Sequence, residues 1–203
     1  MKKAQATVYV VAGIIILAIA SLGYVLKTKV MISDWERERA QSLAVPEFAK
    51  KVQTFAQSCT EQVAKEGVSL LSAQGGYIDL PQDSFPASPI NPFSNSLQLF
   101  AQGESRVAYW FYESANGVSK SQTPSLETIE KQLQGYMDEH LNTCLVDFDA
   151  LENQGYGISS GQPQTLVDIS NDKVYVKVHM PTAIEFEDQS TNINRWYALL
   201  EHG

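Results

Sequence analysis

The chain has 203 residues, enough for one domain with a real core plus an attached segment. Its formal net charge is -8, with 15 Lys and Arg against 23 Asp and Glu, which argues against a nucleic-acid partner because phosphate binding needs clustered cations. Two cysteines and three histidines, widely dispersed, are too few for a zinc centre.

Residues 1–7, with Lys2 and Lys3, precede an uncharged run from Val8 to Leu26. As a helix that run is about 28 Å long, close to the thickness of a bilayer's hydrocarbon core. Ile14, Ile15, Ile16, Leu17, Ile19, Leu22, Val25 and Leu26 make it apolar all round, so it belongs in lipid or in the centre of an assembly. A secretory signal would have a shorter apolar core and an Ala-x-Ala exit, whereas Leu26 is followed by Lys27-Thr28-Lys29. The expectation is a retained single-pass helix, its N-terminus cytoplasmic and the rest of the chain extracytoplasmic. Asp34-Trp35-Glu36-Arg37-Glu38-Arg39-Ala40 continues in good helix formers until Pro46, so residues 1–45 are expected to form one long helix with an extramembrane extension. Residues 46–203 then form the displayed domain.

Phe48, Val52, Phe55, Cys59 and Val63 recur at helical spacing, and Gly75-Gly76 ends that helix. Tyr77-Ile78-Asp79-Leu80 reads as a short strand closed by Pro81. Residues 81–104, rich in Pro, Ser, Asn and Gln, read as a loop. Its Phe85, Ile90, Phe93, Leu97, Leu99 and Phe100 suggest that it packs down on the domain. Arg106 to Tyr112 is strand-like by composition, with a turn at Asn116-Gly117. Within it, Tyr109, Trp110, Phe111 and Tyr112 fit either strand aromatics of a core or a contact surface for a sugar or peptide.

Thr123-Pro124 reads as a helix start, with Thr123 as N-cap. Leu126, Ile129, Leu133, Met137, Leu141 and Cys144 make one apolar stripe suited to the first helix. Thr165–Ile169 and Lys173–Met180 read as a hairpin with Val174, Val176, Val178 and Met180 on the core face, and Pro181 as its end. Arg195–Leu200 reads as a short closing helix or a truncated continuation. The fold class is therefore α+β: a long N-terminal transmembrane helix, then a compact domain of two packed helices and a small antiparallel sheet.

Cys59 and Cys144 lie on the apolar stripes of the two helices, so packing through those stripes brings the sulfurs together. In an extracytoplasmic domain this predicts a disulfide. No phosphate-binding Gly-Lys-Ser/Thr loop or His-Glu-x-x-His helix is present, and no nucleophile elbow is expected. Asp138-Glu139-His140, Asp147 with Asp149, and Asp168 with His179 are the nearest approaches to a metal or catalytic set, and each falls short in number or direction. The reading is a protein with no catalytic residues, metal, cofactor or small-molecule substrate.

Lys2-Lys3-Ala4-Gln5-Ala6-Thr7 followed by the apolar run resembles the class III signal peptides of archaeal type IV pilins. That resemblance implies cleavage between Ala4 and Gln5, with Thr7 as the hydroxyl residue two positions on, and packing of the apolar helix into a filament core. Pilins usually carry Glu at the fifth mature position, where this chain has Tyr9. Ser58-Cys59, Gly75-Gly76-Tyr77-Ile78 and Tyr109-Trp110-Phe111-Tyr112 are similar to patterns in surface proteins of small-genome archaea. The implied function is a membrane-anchored, pilin-like surface subunit in contact with lipid and with copies of itself or other surface proteins. The alternative is a monotopic binding module that uses the aromatic strand and the Pro-rich loop.

Overall fold

The computed structural model describes residues 13–21, 35–40, 42, 44–90, 92–99, 106–145, 148–170 and 173–201. The chain divides into two units, Met1–Ala44 and Val45–Gly203. In the first, residues 13–21 are helical with every residue exposed, and residues 35–40 are helical with the Arg39 guanidinium 5.5 Å from the centre of the Trp35 ring. No helix among the described residues is long and apolar enough to cross a membrane. Of the expected span Val8–Leu26 only 13–21 is described. The Ala4–Gln5 junction and residues 22–34, which would join the two helical stretches into one, lie outside the described residues.

The second unit is α+β. A 3-10 turn at Glu47–Ala49 follows Pro46 and leads into α1, Lys50–Ala73. The Gly76 amide donates to the Leu71 carbonyl at 2.7 Å, with Gly75 and Gly76 at φ 72° and 92°. This left-handed pair closes the last turn, and residues with a Cβ adopt such angles only with strain. Helix α2 spans Leu126–Leu145 and a short α3 spans Asp149–Glu152. The N-cap of α2 is Ser125, whose Oγ accepts the Thr128 amide at 3.1 Å, two residues later than the expected Thr123. Leu126, at the exposed first turn, falls off the buried stripe of Leu133, Met137, Leu141 and Leu145.

Two small hairpin-like pairs precede α2: β1 (Ser96–Gln98) with β2 (Arg106–Ala108), and β3 (Phe111–Glu113) with β4 (Ser119–Ser121). The main sheet is β5 (Tyr156–Ser160), β6 (Gln164–Ser170), β7 (Lys173–Phe186) and β8 (Gln189–Glu201), all antiparallel. Strand β7 is its axis. β8 runs beside it from end to end, while on the other side β6 faces Lys173–His179 and β5 faces Thr182–Phe186.

Two expectations at this end are corrected. Pro181 does not end β7, because the ladder with β8 shifts register between His179 and Thr182, and the missing proline N–H falls within that irregularity. The Met180 carbonyl there accepts the buried Trp196 indole N–H at 3.2 Å. Arg195–Leu200 is not a helix but the second half of β8. Trp196, Tyr197 and Ala198 are consecutive and all buried, a pattern that a strand covered on both faces produces and that alternation cannot reveal.

Helix α1 packs on β8 and α2 on β6, and the helices meet each other. Val52, Val63, Leu133, Met137, Val176, Val178, Ile184 and Trp196 belong to the shared core. Gly67 permits the close approach, since a Cβ there would stand 2.5 Å from Leu133 Cδ1. Carboxylates of α2 also satisfy the outer edge of β6: Glu130 accepts the Ile169 amide at 2.9 Å and Asp138 the Thr165 amide at 2.8 Å. Two of the outward amides of this edge are thereby satisfied within the domain.

Candidate functional site

Cys59 and Cys144 are joined, with Sγ–Sγ 2.12 Å and Cα–Cα 5.8 Å, linking α1 to α2. The helical stripes bring both residues to the same seam.

The residues of greatest functional interest lie between the end of α1 and the start of α2. The expected strand Arg106–Tyr112 is broken there into β2 and β3 by Tyr109 and Trp110. Asn95, fully buried, accounts for the break. Its Oδ1 accepts the Phe85 amide at 2.7 Å and its Nδ2 donates to the Asp83 carbonyl at 2.9 Å. Its own carbonyl takes both the Tyr109 amide at 3.0 Å and the Gln122 side-chain amide at 2.5 Å. One carboxamide thus pins the 83–85 loop, and its backbone draws residue 109 out of a regular ladder. Trp110 is then fixed by its own indole, whose Nε1 donates to the Gly75 carbonyl at 2.8 Å.

The aromatic cluster is therefore not core. Trp110 is 52% exposed and Phe111 73%, with Tyr109 exposed and Tyr112 half-buried. The Pro-rich loop departs from expectation in part: Phe85, Phe93, Leu97 and Leu99 are only partly covered, Ile90 is almost fully exposed, and Ser96–Gln98 is a strand. Phe100 lies outside the described residues. Tyr77–Leu80 is not a strand but an irregular bend. Gln132 of α2 holds it, accepting the Ile78 and Asp79 amides at 2.6 and 3.1 Å and donating to the Asp79 carbonyl at 3.2 Å.

This bend separates two open clefts. One, of about 410 Å³, is walled by Gln74, Gln82, Ser84, Arg106 and Asp79, and is mostly polar. The Arg106 guanidinium donates to the Ser84 carbonyl at 3.3 Å and has no carboxylate partner among the described residues. The Ser84 hydroxyl oxygen is buried without a hydrogen-bond partner. The other cleft, of about 520 Å³, is walled by Asp79, Lys131, Gln132, Tyr136, Glu139 and His140. Tyr136 and His140 stack with ring centres 4.0 Å apart, and His140 Nδ1 is 2.9 Å from the Tyr136 carbonyl. Burial, helped by the nearby Glu66 carboxylate, pushes the Tyr136 phenol up from its usual value, keeping it a neutral donor.

The other sequence candidates do not converge. Glu139 and His140 share a cleft, but Asp138 is engaged with β6. Asp147 lies outside the described residues, and Asp149 opens helix α3, not an extended segment. Asp168 pairs with Tyr175, and His179 with Gln164, so these two are four positions apart in register. Among the described residues no group of three or more His, Cys, Asp or Glu could hold a metal. Gly157-Ile158-Ser159-Ser160-Gly161 does fit the Gly-x-Ser-x-Gly pattern of a nucleophile elbow, against expectation. It stays extended in β5, with Ser159 paired to Ala183, where an elbow needs a sharp strand-to-helix turn. Asn95 and Gln132 carried no signal in the sequence, because carboxamides in a polar loop or on a helix face look like solvated surface. No family model matches the chain, and no curated protein or solved structure matches it.

Proposed function

We propose that this chain is a non-enzymatic, membrane-anchored surface protein, a pilin-like subunit held and associated through its N-terminal apolar helix. Its disulfide-tied domain stands on the extracytoplasmic side. The observation that carries this reading is the helix of residues 13–21, in which Ile14, Ile15, Ile16, Leu17 and Ile19 are between 52% and 71% exposed. Burying each such side chain is worth about 1.5–3 kcal/mol, so the segment belongs in lipid or against other copies. The cystine agrees with an oxidising compartment. Carbonate extraction of source-cell membranes tests the anchor, and the mature N-terminus tests processing. Retention in the pellet with Gln5 as first residue is expected. Recovery as a free cytosolic monomer with both thiols reduced would overturn the proposal.

A second reading, a monotopic binding module, is favoured by one observation: Trp110 and Phe111 are held outward by a built hydrogen-bond frame. Trp110→Ala should weaken ligand binding about tenfold and leave anchoring intact. Loss of anchoring would assign the indole to the fold instead.

A further inference from the structure

Resting on that second reading, we propose that the two clefts on either side of the Ile78–Asp79 bend together hold one neutral oligosaccharide that crosses the bend, with the Tyr136–His140 stack lining one cleft and Trp110 bonded beside the wall of the other. Ile78 and Asp79 line both clefts, so the two are continuous across a single rib of backbone. Gln132 bonds that rib from the α2 side at three points, which makes it a fixed divider. Each cleft falls within the range of roughly 300–1,000 Å³ typical of ligand sites. Two joined end to end suit a chain of repeating units better than one compact molecule.

The chemistry of the walls chooses among ligands. Hydroxyl groups both donate and accept, and the lining offers partners for both roles: Gln74 and Gln82 carboxamides, the Asp79 carboxylate, and Arg106, with one N–H engaged and the rest of its fork without a described partner. The walls balance Arg106 and Lys131 against Asp79 and Glu139, and Lys131 is already paired with Glu127 at 2.6 Å. A polyanion would meet carboxylates in both clefts and a chain of net charge -8, so an uncharged ligand fits. The Tyr136–His140 stack supplies a flat apolar face in one cleft for the C–H face of a sugar ring, and Trp110 stands beside the other without lining it. The indole of Trp110 is bonded to Gly75, the residue directly after Gln74.

The test titrates the full-length protein in detergent micelles with cello-, manno- and chitotetraose by calorimetry, alongside the corresponding monosaccharides and an unstructured octapeptide. Saturable millimolar or tighter binding of at least one tetrasaccharide, weaker for its monosaccharide, is expected. Trp110→Ala and His140→Ala should each weaken that binding about tenfold, with melting temperature unchanged. Arg106→Gln, which removes a charge but keeps an amide donor, should weaken it as well and not abolish it. Binding by none of the three, tighter binding of the octapeptide, or affinity indifferent to both alanine substitutions would overturn the proposal. Tighter binding of the octapeptide would overturn the oligosaccharide and keep the binding module, whereas binding of neither sugar nor peptide would overturn both, so the two failures are distinguishable.

Discussion

Removing the cystine is the perturbation whose size can be worked most directly. Cys59 and Cys144 are 85 residues apart. Closing a loop of that length lowers the entropy of the unfolded chain by about 15 cal/mol/K, which is about 4.5 kcal/mol at 25 °C. Native-state adjustments usually trim such figures to about 2–4 kcal/mol. The double variant Cys59→Ala, Cys144→Ala should therefore lose that much in urea unfolding, and its melting point should fall by about 5–15 °C. Alanine is the right replacement because Cys59 is buried, and a serine hydroxyl would add an unmet polar group. Native protein alkylated without reductant should stay unlabelled, and its intact mass should rise by two hydrogens on reduction. If the variant melts within about 2 °C of the native protein, the bond is not constraining the unfolded chain and the link between helix packing and disulfide is wrong.

The remaining predictions concern the helix seam and its ends. Gly67→Ala gains about 1 kcal/mol of helix propensity but drives a methyl to 2.5 Å from fully buried Leu133 Cδ1 and 2.9 Å from Tyr136 Cδ1. Overpacking of about 1–3 kcal/mol outweighs the gain, so urea unfolding should show a net loss of about 1 kcal/mol. Gly135→Ala has nothing within 4 Å and should stabilise by about 1 kcal/mol in the same assay. Ser125→Ala deletes the α2 cap and should cost about 1 kcal/mol. Burial raises the Tyr77 and Tyr136 phenols above 10.0. Their contribution is fully present below the unfolded value and is lost as pH rises through the folded values, so the melting point should decline above pH 10.0 and the decline should shrink in Tyr77→Phe.

What the sequence displayed of this fold is what a single periodicity can encode. Val52, Cys59 and Val63 on one helix and Leu133, Met137 and Leu141 on the other repeat at helical spacing because each helix buries one stripe. The hairpin of β6 and β7 was legible for the parallel reason, with Val176, Val178 and Met180 alternating inward. β8 was hidden because Trp196, Tyr197 and Ala198 are buried in succession, leaving neither a period of two nor one of 3.6. Pro181 misled because a proline normally ends a ladder, and only the register shift opposite it makes room.

The aromatic strand was legible as a candidate contact surface, but its frame was not, because that frame is made of single, long-range hydrogen bonds, and these have no spacing. Asn95 reaches Phe85, Asp83, Tyr109 and Gln122, partners between ten and 27 residues away. Gln132 reaches Ile78 and Asp79 across more than fifty positions. In sequence each is one more polar residue, and Tyr109-Trp110-Phe111-Tyr112 without them looks like strand core. With them the ladder is interrupted between β2 and β3, and aromatic rings that alternation would have buried stand in solvent. Leaving Trp110 52% and Phe111 73% exposed forgoes about 1–2 kcal/mol for each ring. Fully buried Asn95 at the centre of that arrangement is the residue on which the contact surface turns. Asn95→Ala deletes the carboxamide that holds Phe85 and Asp83 but keeps the backbone carbonyl that takes the Tyr109 amide, so it should loosen the 83–85 loop before it disturbs the α1–α2 core, with hydrogen exchange rising at Phe85 but not at Leu133 or Met137. Equal exchange throughout the domain would show instead that the aromatic display and the core are one cooperative unit.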